Sequence, residues 1–176
     1  MKKILVIFDG SNFYHGVKRL SKNIHLTNFN YRKLAQKITG SKDVQIEYCV
    51  GEIKQNHQSP KTRQLYAGQQ ALFYRLEQQK IKIQKGYMLR EGSTYHEKGV
   101  DVRIAIDVLH GALKNTYDTC YIISSDTDII PAILDAKSEK KQVIYIGFKG
   151  FVSRAMKANC SKTIILDEKM IKKCLT

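Results

Sequence analysis

The chain has 176 residues, of which 43% are hydrophobic and 26% charged, the profile of one soluble globular domain long enough to bury a core unaided. No apolar run approaches the ~18–20 residues of a membrane-spanning helix, which argues against a membrane protein. Lys and Arg number 30 against 16 Asp and Glu, and the resulting net charge of +14 points to a polyanionic partner: nucleic acid ahead of an anionic membrane or a merely solvated basic surface. The four cysteines, Cys49, Cys120, Cys160 and Cys174, form no CxxC pair, which disfavours zinc and leaves free, mostly buried thiols as the expectation.

In chain order, KILVIF (3–8) reads as a buried strand. The opening MKK followed by apolar residues resembles the start of a signal peptide, but the run is short and stops at Asp9, so a cytoplasmic protein is expected. Residues 12–21 and 30–38 read as short helices, the second ended by Gly40. VQIEYCV (44–50) is a second strand and 52–60 a polar loop. A helix is predicted from Lys61 to about Gln79, with Leu65, Leu72, Phe73 and Leu76 at helical spacing. KIKIQKGYML (80–89) alternates like a strand, REGSTYHEKG (90–99) reads as a loop, and 100–113 as an amphipathic helix. TCYIIS (119–124) is a strand, 127–138 a helix, QVIYIGF (142–148) a strand, 151–157 a short helix, KTIIL (162–166) a strand, and a last helix begins near Asp167. Strands apolar on both faces and separated by helices predict an α/β fold: a three-layer sandwich around a central, mostly parallel sheet, Rossmann-like, with residues 1–176 as a single domain.

In open parallel sheets, sites form outside the carboxyl ends of the strands. Asp9, Ser11 and Asn12 follow the first strand, Ser125, Asp126 and Asp128 follow the strand at 119–124, and Asp101 opens the helix at 100–113. If the first and fourth strands are neighbours, these acids converge. Two carboxylates about 4 Å apart repel by roughly 1 kcal/mol in water and by several in a partly buried cleft. A hard divalent cation, Mg²⁺ or Mn²⁺, relieves that crowding, and such ions polarise phosphodiesters, activate water and stabilise leaving oxygens. Each acid also has a local alternative. Asp9, Asp126 or Asp128 can cap a helix, Asp101 can face a helix dipole, and Asp107, mid-helix, suits a structural hydrogen bond. What favours a shared site is their co-occurrence at strand ends, with no Lys or Arg in either acidic loop.

Three stretches, VIFDGSNFY, EKGVDVRIAIDVL and YIISSDTDIIPAI followed by KKQVIYIGF, resemble NYN domains of the LabA-like kind, within the PIN-like nuclease superfamily. The resemblance runs over nearly the whole chain. It implies a metal-dependent ribonuclease, with Asp9, Asp101, Asp126 and Asp128 as the Mg²⁺- or Mn²⁺-binding acids. Asn12 and Ser125 would stand beside them, Asp107 would support them, and Lys98 would lie near the substrate. PIN-like proteins are often dimers, so a homodimer is also expected. Lys54, Lys61, Arg63, Arg90, Lys149 and Arg154 fall on loops and helix starts where they could grip RNA or DNA, and Tyr14, Tyr87 and Tyr95 could stack on unpaired bases. The histidines show no paired spacing, although His96 lies close to the acidic helix. A non-catalytic RNA-binding or interaction module that keeps the acidic pocket is the alternative. A phosphoacceptor domain is disfavoured because FDGSN lacks a second Asp two residues after Asp9, and no GxxxxGK[ST] or GxGxxG is present.

Overall fold

A computed structural model describes residues 2–54, 60–91 and 94–175. Seven strands form one sheet: β1 (Ile4–Asp9), β2 (Gln45–Glu52), β3 (Lys82–Glu91), β4 (Thr94–Lys98), β5 (Thr119–Ile123), β6 (Gln142–Phe148) and β7 (Lys162–Leu166), in the order β4-β3-β2-β1-β5-β6-β7. All neighbours are parallel except β3 and β4. Helices α1 (Gly10–Leu20), α2 (Tyr31–Thr39), α3 (Pro60–Gln78) and α7 (Glu168–Lys172) cover one face, and α4 (Val100–Leu113), α5 (Ile130–Ser138) and α6 (Arg154–Asn159) the other.

The alternation of β1 assigns the two faces. Val6 and Phe8 enter the core beneath α1–α3, while Leu5 and Ile7 enter the core beneath α4–α6. Every residue of β5 is buried, as the continuous apolar run TCYII requires of a central parallel strand. The first core is aromatic: the Phe13 ring meets Phe8 and Phe29 at 5.3 Å and Tyr31 at 5.6 Å, with Phe8 edge-on. Gly16 lets α1 sit directly on β6, since a Cβ there would fall 2.3 Å from the Phe148 ring.

The expected three-layer α/β architecture is present, and the first strand does lie beside the strand that begins at Thr119. The chain builds outward from β1 through β2 to β3, then returns along α4 to place β5 on the opposite flank of β1. That reversal creates a crevice at the carboxyl ends of β1 and β5.

Of the segment 90–99, expected to be a loop, residues 90–91 are instead the end of β3 and residues 94–99 the strand β4 and the turn into α4; residues 92–93 lie outside the described residues. Tyr87 pairs with Lys98 and Met88 with Glu97. Cross-strand pairing on β3 outweighs the weak strand signal of this short polar segment. Gly99 then turns the chain with φ of +78°, a conformation that strains any side-chain-bearing residue. The helix expected from 127 begins at Ile130, because Thr127–Ile129 form a turn after Asp126. The short helix expected at 151–157 runs Arg154–Asn159, capped by the Ser153 side chain.

Candidate functional site

Asp9 ends β1 and caps α1, so its carboxylate stands at the crevice. Its Oδ1 accepts from the Asn12 backbone N–H at 3.0 Å. Its Oδ2 accepts from the Asn12 amide at 2.7 Å and from the Ser124 hydroxyl at 2.8 Å. Only 4% of Asp9 is exposed, and Ser124, after β5, is just as enclosed. The Ser124 oxygen in turn accepts from the Asp126 backbone N–H at 3.1 Å. Asn12 also receives the Ser125 N–H at 3.3 Å, so the β1 and β5 loops are stitched together. The Ser125 hydroxyl meets the Tyr145 hydroxyl at 2.9 Å, and that phenol oxygen accepts from the Ser153 N–H. Capping and pocket formation are therefore one arrangement for Asp9 rather than alternatives.

A cavity of about 470 Å³ opens here, lined by Asp9, Asn12, Glu97, Lys98, Asp101 and Asp126, with Tyr87 at its wall. Asp9, Asp101 and Asp126 thus come together from three distant segments. Asp128 does not join them. It is exposed, absent from the lining, and its N–H donates to Asp126 Oδ1 at 3.0 Å. Asp107 is also elsewhere, holding Arg103 at 2.9 Å and Gln84 at 3.0 Å, the structural role that a mid-helix acid suggests.

Glu97 is the acid that sequence reasoning missed. It projects from β4 into the pocket and accepts the Gly51 N–H at 2.9 Å. A signal for it exists: Gly92-Ser93 separates two strand-like runs by two residues, a hairpin pattern. Ser124 and Tyr145, which hold the pocket's frame, were missed as well.

Of the cations expected to grip substrate, Lys98 lines the pocket. Lys54 follows β2 and Lys149 follows β6, while Arg63 and Arg154 lie in the first turns of α3 and α6; all four are exposed, and none lines the pocket. The side chains of Lys61, Arg90 and Tyr95 lie outside the described residues. A second cavity, of about 210 Å³, shares Ser11 and Asn12 with the first and adds His15, Arg19, Ser125 and Phe151. There the Arg19 guanidinium lies 5.3 Å from the centre of the Phe151 ring, which is 45% exposed.

Burial pushes the Asp9 and Glu97 carboxyls above their ordinary values. Asp126 adds to the shift at Asp9, and Asp9 and Asp101 add to it at Glu97. No lysine or arginine pairs with Asp9, Glu97, Asp101 or Asp126 among the described residues. The four cysteines are buried and free, and burial pushes every thiol upward, Cys160 to about 11, so none supplies a thiolate near neutrality.

The raised acids have a stability consequence. The unfolded chain loses these protons near the ordinary values of 3.8 and 4.5, the folded chain only at higher pH. Between those limits the folded state binds more protons, so stability falls as pH rises and the loss persists above the folded values. A divalent cation that binds the ionised carboxylates should reverse part of it. Millimolar Mn²⁺ is expected to raise Tm at neutral pH, by about 2–4 °C per kcal/mol of binding, and to do little near pH ~4, as a differential scanning fluorimetry series would show. An equal rise at both pH values would place the cation elsewhere.

The parallel sheet reverses its strand order at this acidic pocket, and the family match identifies the class as a nuclease-like, PIN-fold domain. The family model for the NYN domain matches residues 3–167, and the chain belongs to that family, within the PIN-like superfamily. A crystal structure of a protein of unknown function from Vibrio parahaemolyticus RIMD 2210633 is similar, with a TM-score of 0.68 and 18% identity over 95% of this chain and 94% of that one. At that identity the likeness concerns the fold. No curated protein matches the chain. Among the described residues no helix is long and apolar enough to cross a membrane.

Proposed function

We propose that the protein is a metal-dependent ribonuclease, hydrolysing RNA phosphodiesters at the pocket of Asp9, Glu97, Asp101 and Asp126. One observation carries this reading: four carboxylates from three parts of the chain line a single cavity, and none of them forms an ion pair with a lysine or arginine among the described residues. Such a donor set suits a hard cation. Among the described residues no three His, Cys, Asp or Glu side chains are grouped to hold a metal ion between them. Mg²⁺ does not need that, since it keeps several waters and is often held through one or two carboxylates together with substrate phosphate. Asp9 and Asp126 would hold it directly, with Asp101 and Glu97 reached through its waters. When bound, the ion supplies a Lewis acid beside the phosphate and neutralises the crowded charge.

The chain's own groups do the rest. Asn12 and Ser124 fix the Asp9 carboxylate through both its oxygens. Glu97, whose carboxyl burial holds above its ordinary value, accepts the proton of a water that attacks phosphorus as the bond to the leaving oxygen breaks. Lys98 steadies a phosphate oxygen at the pocket wall. An RNA strand crossing the pocket would lay an unpaired base in the adjoining cavity, where Phe151 and Arg19 offer the aromatic and guanidinium planes on which bases stack. The +14 charge supplies attraction to the rest of the strand.

The second reading is a non-catalytic RNA-binding module, favoured by the lack of a tight carboxylate triad among the described residues. Purified protein with Mn²⁺ is expected to cut labelled single-stranded RNA and to stop when EDTA is added. RNA that is bound yet left intact with Mg²⁺ and Mn²⁺ alike would exclude the nuclease and leave the module. A matched DNA panel identifies the sugar. Binding itself is expected to weaken steeply, by roughly 10³–10⁵ between 50 and 200 mM salt if six to ten phosphates are contacted. A flat salt response would remove the polyanion from either reading.

A further inference from the structure

We infer that a second cleft, separate from the acidic pocket and lying between α1, the 3-10 turn Leu26–Asn28 and α3, binds a phosphate group. The cleft encloses about 400 Å³, within the range of small-ligand sites, and shares no lining residue with the acidic pocket. Its wall carries Tyr14, Lys18, His25, Tyr48 and Arg75, and no carboxylate.

Arg75 is the telling residue. Among the described residues its buried Nε donates to no acceptor, and its guanidinium forms no ion pair. Buried donors are almost always satisfied, so an open buried donor on the wall of a cleft is explained by an acceptor that the chain does not itself provide. Lys18 lines the same cleft with its position set: its Nζ donates to the Ile24 carbonyl at 2.7 Å and the Lys22 carbonyl at 3.2 Å. His25 adds a third nitrogen-bearing side chain. A tetrahedral phosphate presents several oxygens to such a set and accepts the planar guanidinium fork in a paired geometry. Tyr14, 47% exposed at the rim, offers a ring for a base attached to that phosphate.

The phosphate could belong to a free nucleotide or to the end of an RNA strand, and the experiment separates the two. Wild type, Arg75→Gln and a control, Lys114→Gln at the end of α4 on the opposite face of the sheet, are titrated at constant ionic strength with inorganic phosphate, AMP, and single-stranded RNA bearing either a 5′-phosphate or a 5′-hydroxyl. Binding is read by calorimetry without divalent metal, so turnover plays no part and a failure of the nuclease reading leaves this test intact. Saturable phosphate binding is expected in wild type and control, and weaker binding by about tenfold or more in Arg75→Gln. Preference for the 5′-phosphorylated strand identifies an RNA terminus; equal affinity for the two strands with tight AMP binding identifies a free nucleotide. Absence of saturable binding by any phosphate probe, or equal affinity in Arg75→Gln and wild type, overturns the proposal. If circular dichroism shows Arg75→Gln to be unfolded, Arg75→Lys keeps the stem and charge while removing Nε, and wild-type affinity in that variant overturns it equally.

Discussion

Asp126→Asn is expected to lower RNA cleavage by on the order of 10²-fold or more while leaving the fold intact. The substitution is clean because the local structure asks only for an oxygen. Asp126 Oδ1 accepts the Asp128 N–H at 3.0 Å, a bond that an asparagine Oδ1 also makes. What disappears is one negative charge at the mouth of the cavity. Asp9 is a poorer choice, since both its oxygens already accept hydrogen bonds, one of them from the Asn12 amide. An Asn at position 9 would set two NH₂ groups against each other and disturb the joint between the β1 and β5 loops. Asp128→Asn is the internal comparison. Being exposed and outside the lining, it is expected to change cleavage by less than a few-fold. A gel-based cleavage assay with Mn²⁺ reads all three proteins at matched Tm. Wild-type turnover in Asp126→Asn would eliminate the proposed chemistry, and equal losses in the two variants would return Asp128 to the site.

Phe13→Ala is expected to destabilise the protein by about 3–5 kcal/mol, a large share of the roughly 5–15 kcal/mol that holds a domain together. Phe13 is 0% exposed and touches four aromatic neighbours, with the Phe148 ring 6.0 Å away as the most distant. The surroundings have little room to collapse, because Gly16 already brings α1 against that same Phe148 ring. The effect reaches the site through one covalent step. Asn12, which precedes Phe13, donates to Asp9 at 2.7 Å, so a loosened α1 loosens the carboxylate. Urea denaturation should show the loss as a lower midpoint with an unchanged slope. Cleavage measured well below the lowered Tm should fall as well. A stability loss under about 1 kcal/mol would mean that α1 is anchored elsewhere.

Much of this protein is legible in its residues alone. Runs such as ILVIF and TCYII are apolar on both faces, which only a strand covered by helices on each side tolerates, so the layered fold follows from local composition. Asp9 and Asp126 are legible for a related reason: an acid directly after such a strand lies at the sheet's carboxyl edge whatever the strand order. The buried, free cysteines also follow, since their spacing offers no metal or disulfide pattern. Asp107 is readable as structural from its place inside a helix.

Tertiary structure decided which acids share a cavity. Strand order is a non-local choice, and the return of α4 to lay β5 beside β1 is what joins Asp9, Asp101 and Asp126. Asp128 lies two residues from Asp126, yet the intervening turn sends it to solvent, a distinction set by backbone direction rather than residue type. Glu97 enters because β4 pairs antiparallel with β3, and that pairing depends on cross-strand partners invisible in a polar segment read alone. The buried Arg75 Nε is of the same kind, for an arginine on a helix looks solvated until the neighbouring elements cover part of it. Side-chain period and composition act within a few residues, and they determined the layers and the acidic edge. Convergence in space depends on how the sheet closes, and only the assembled fold determined it.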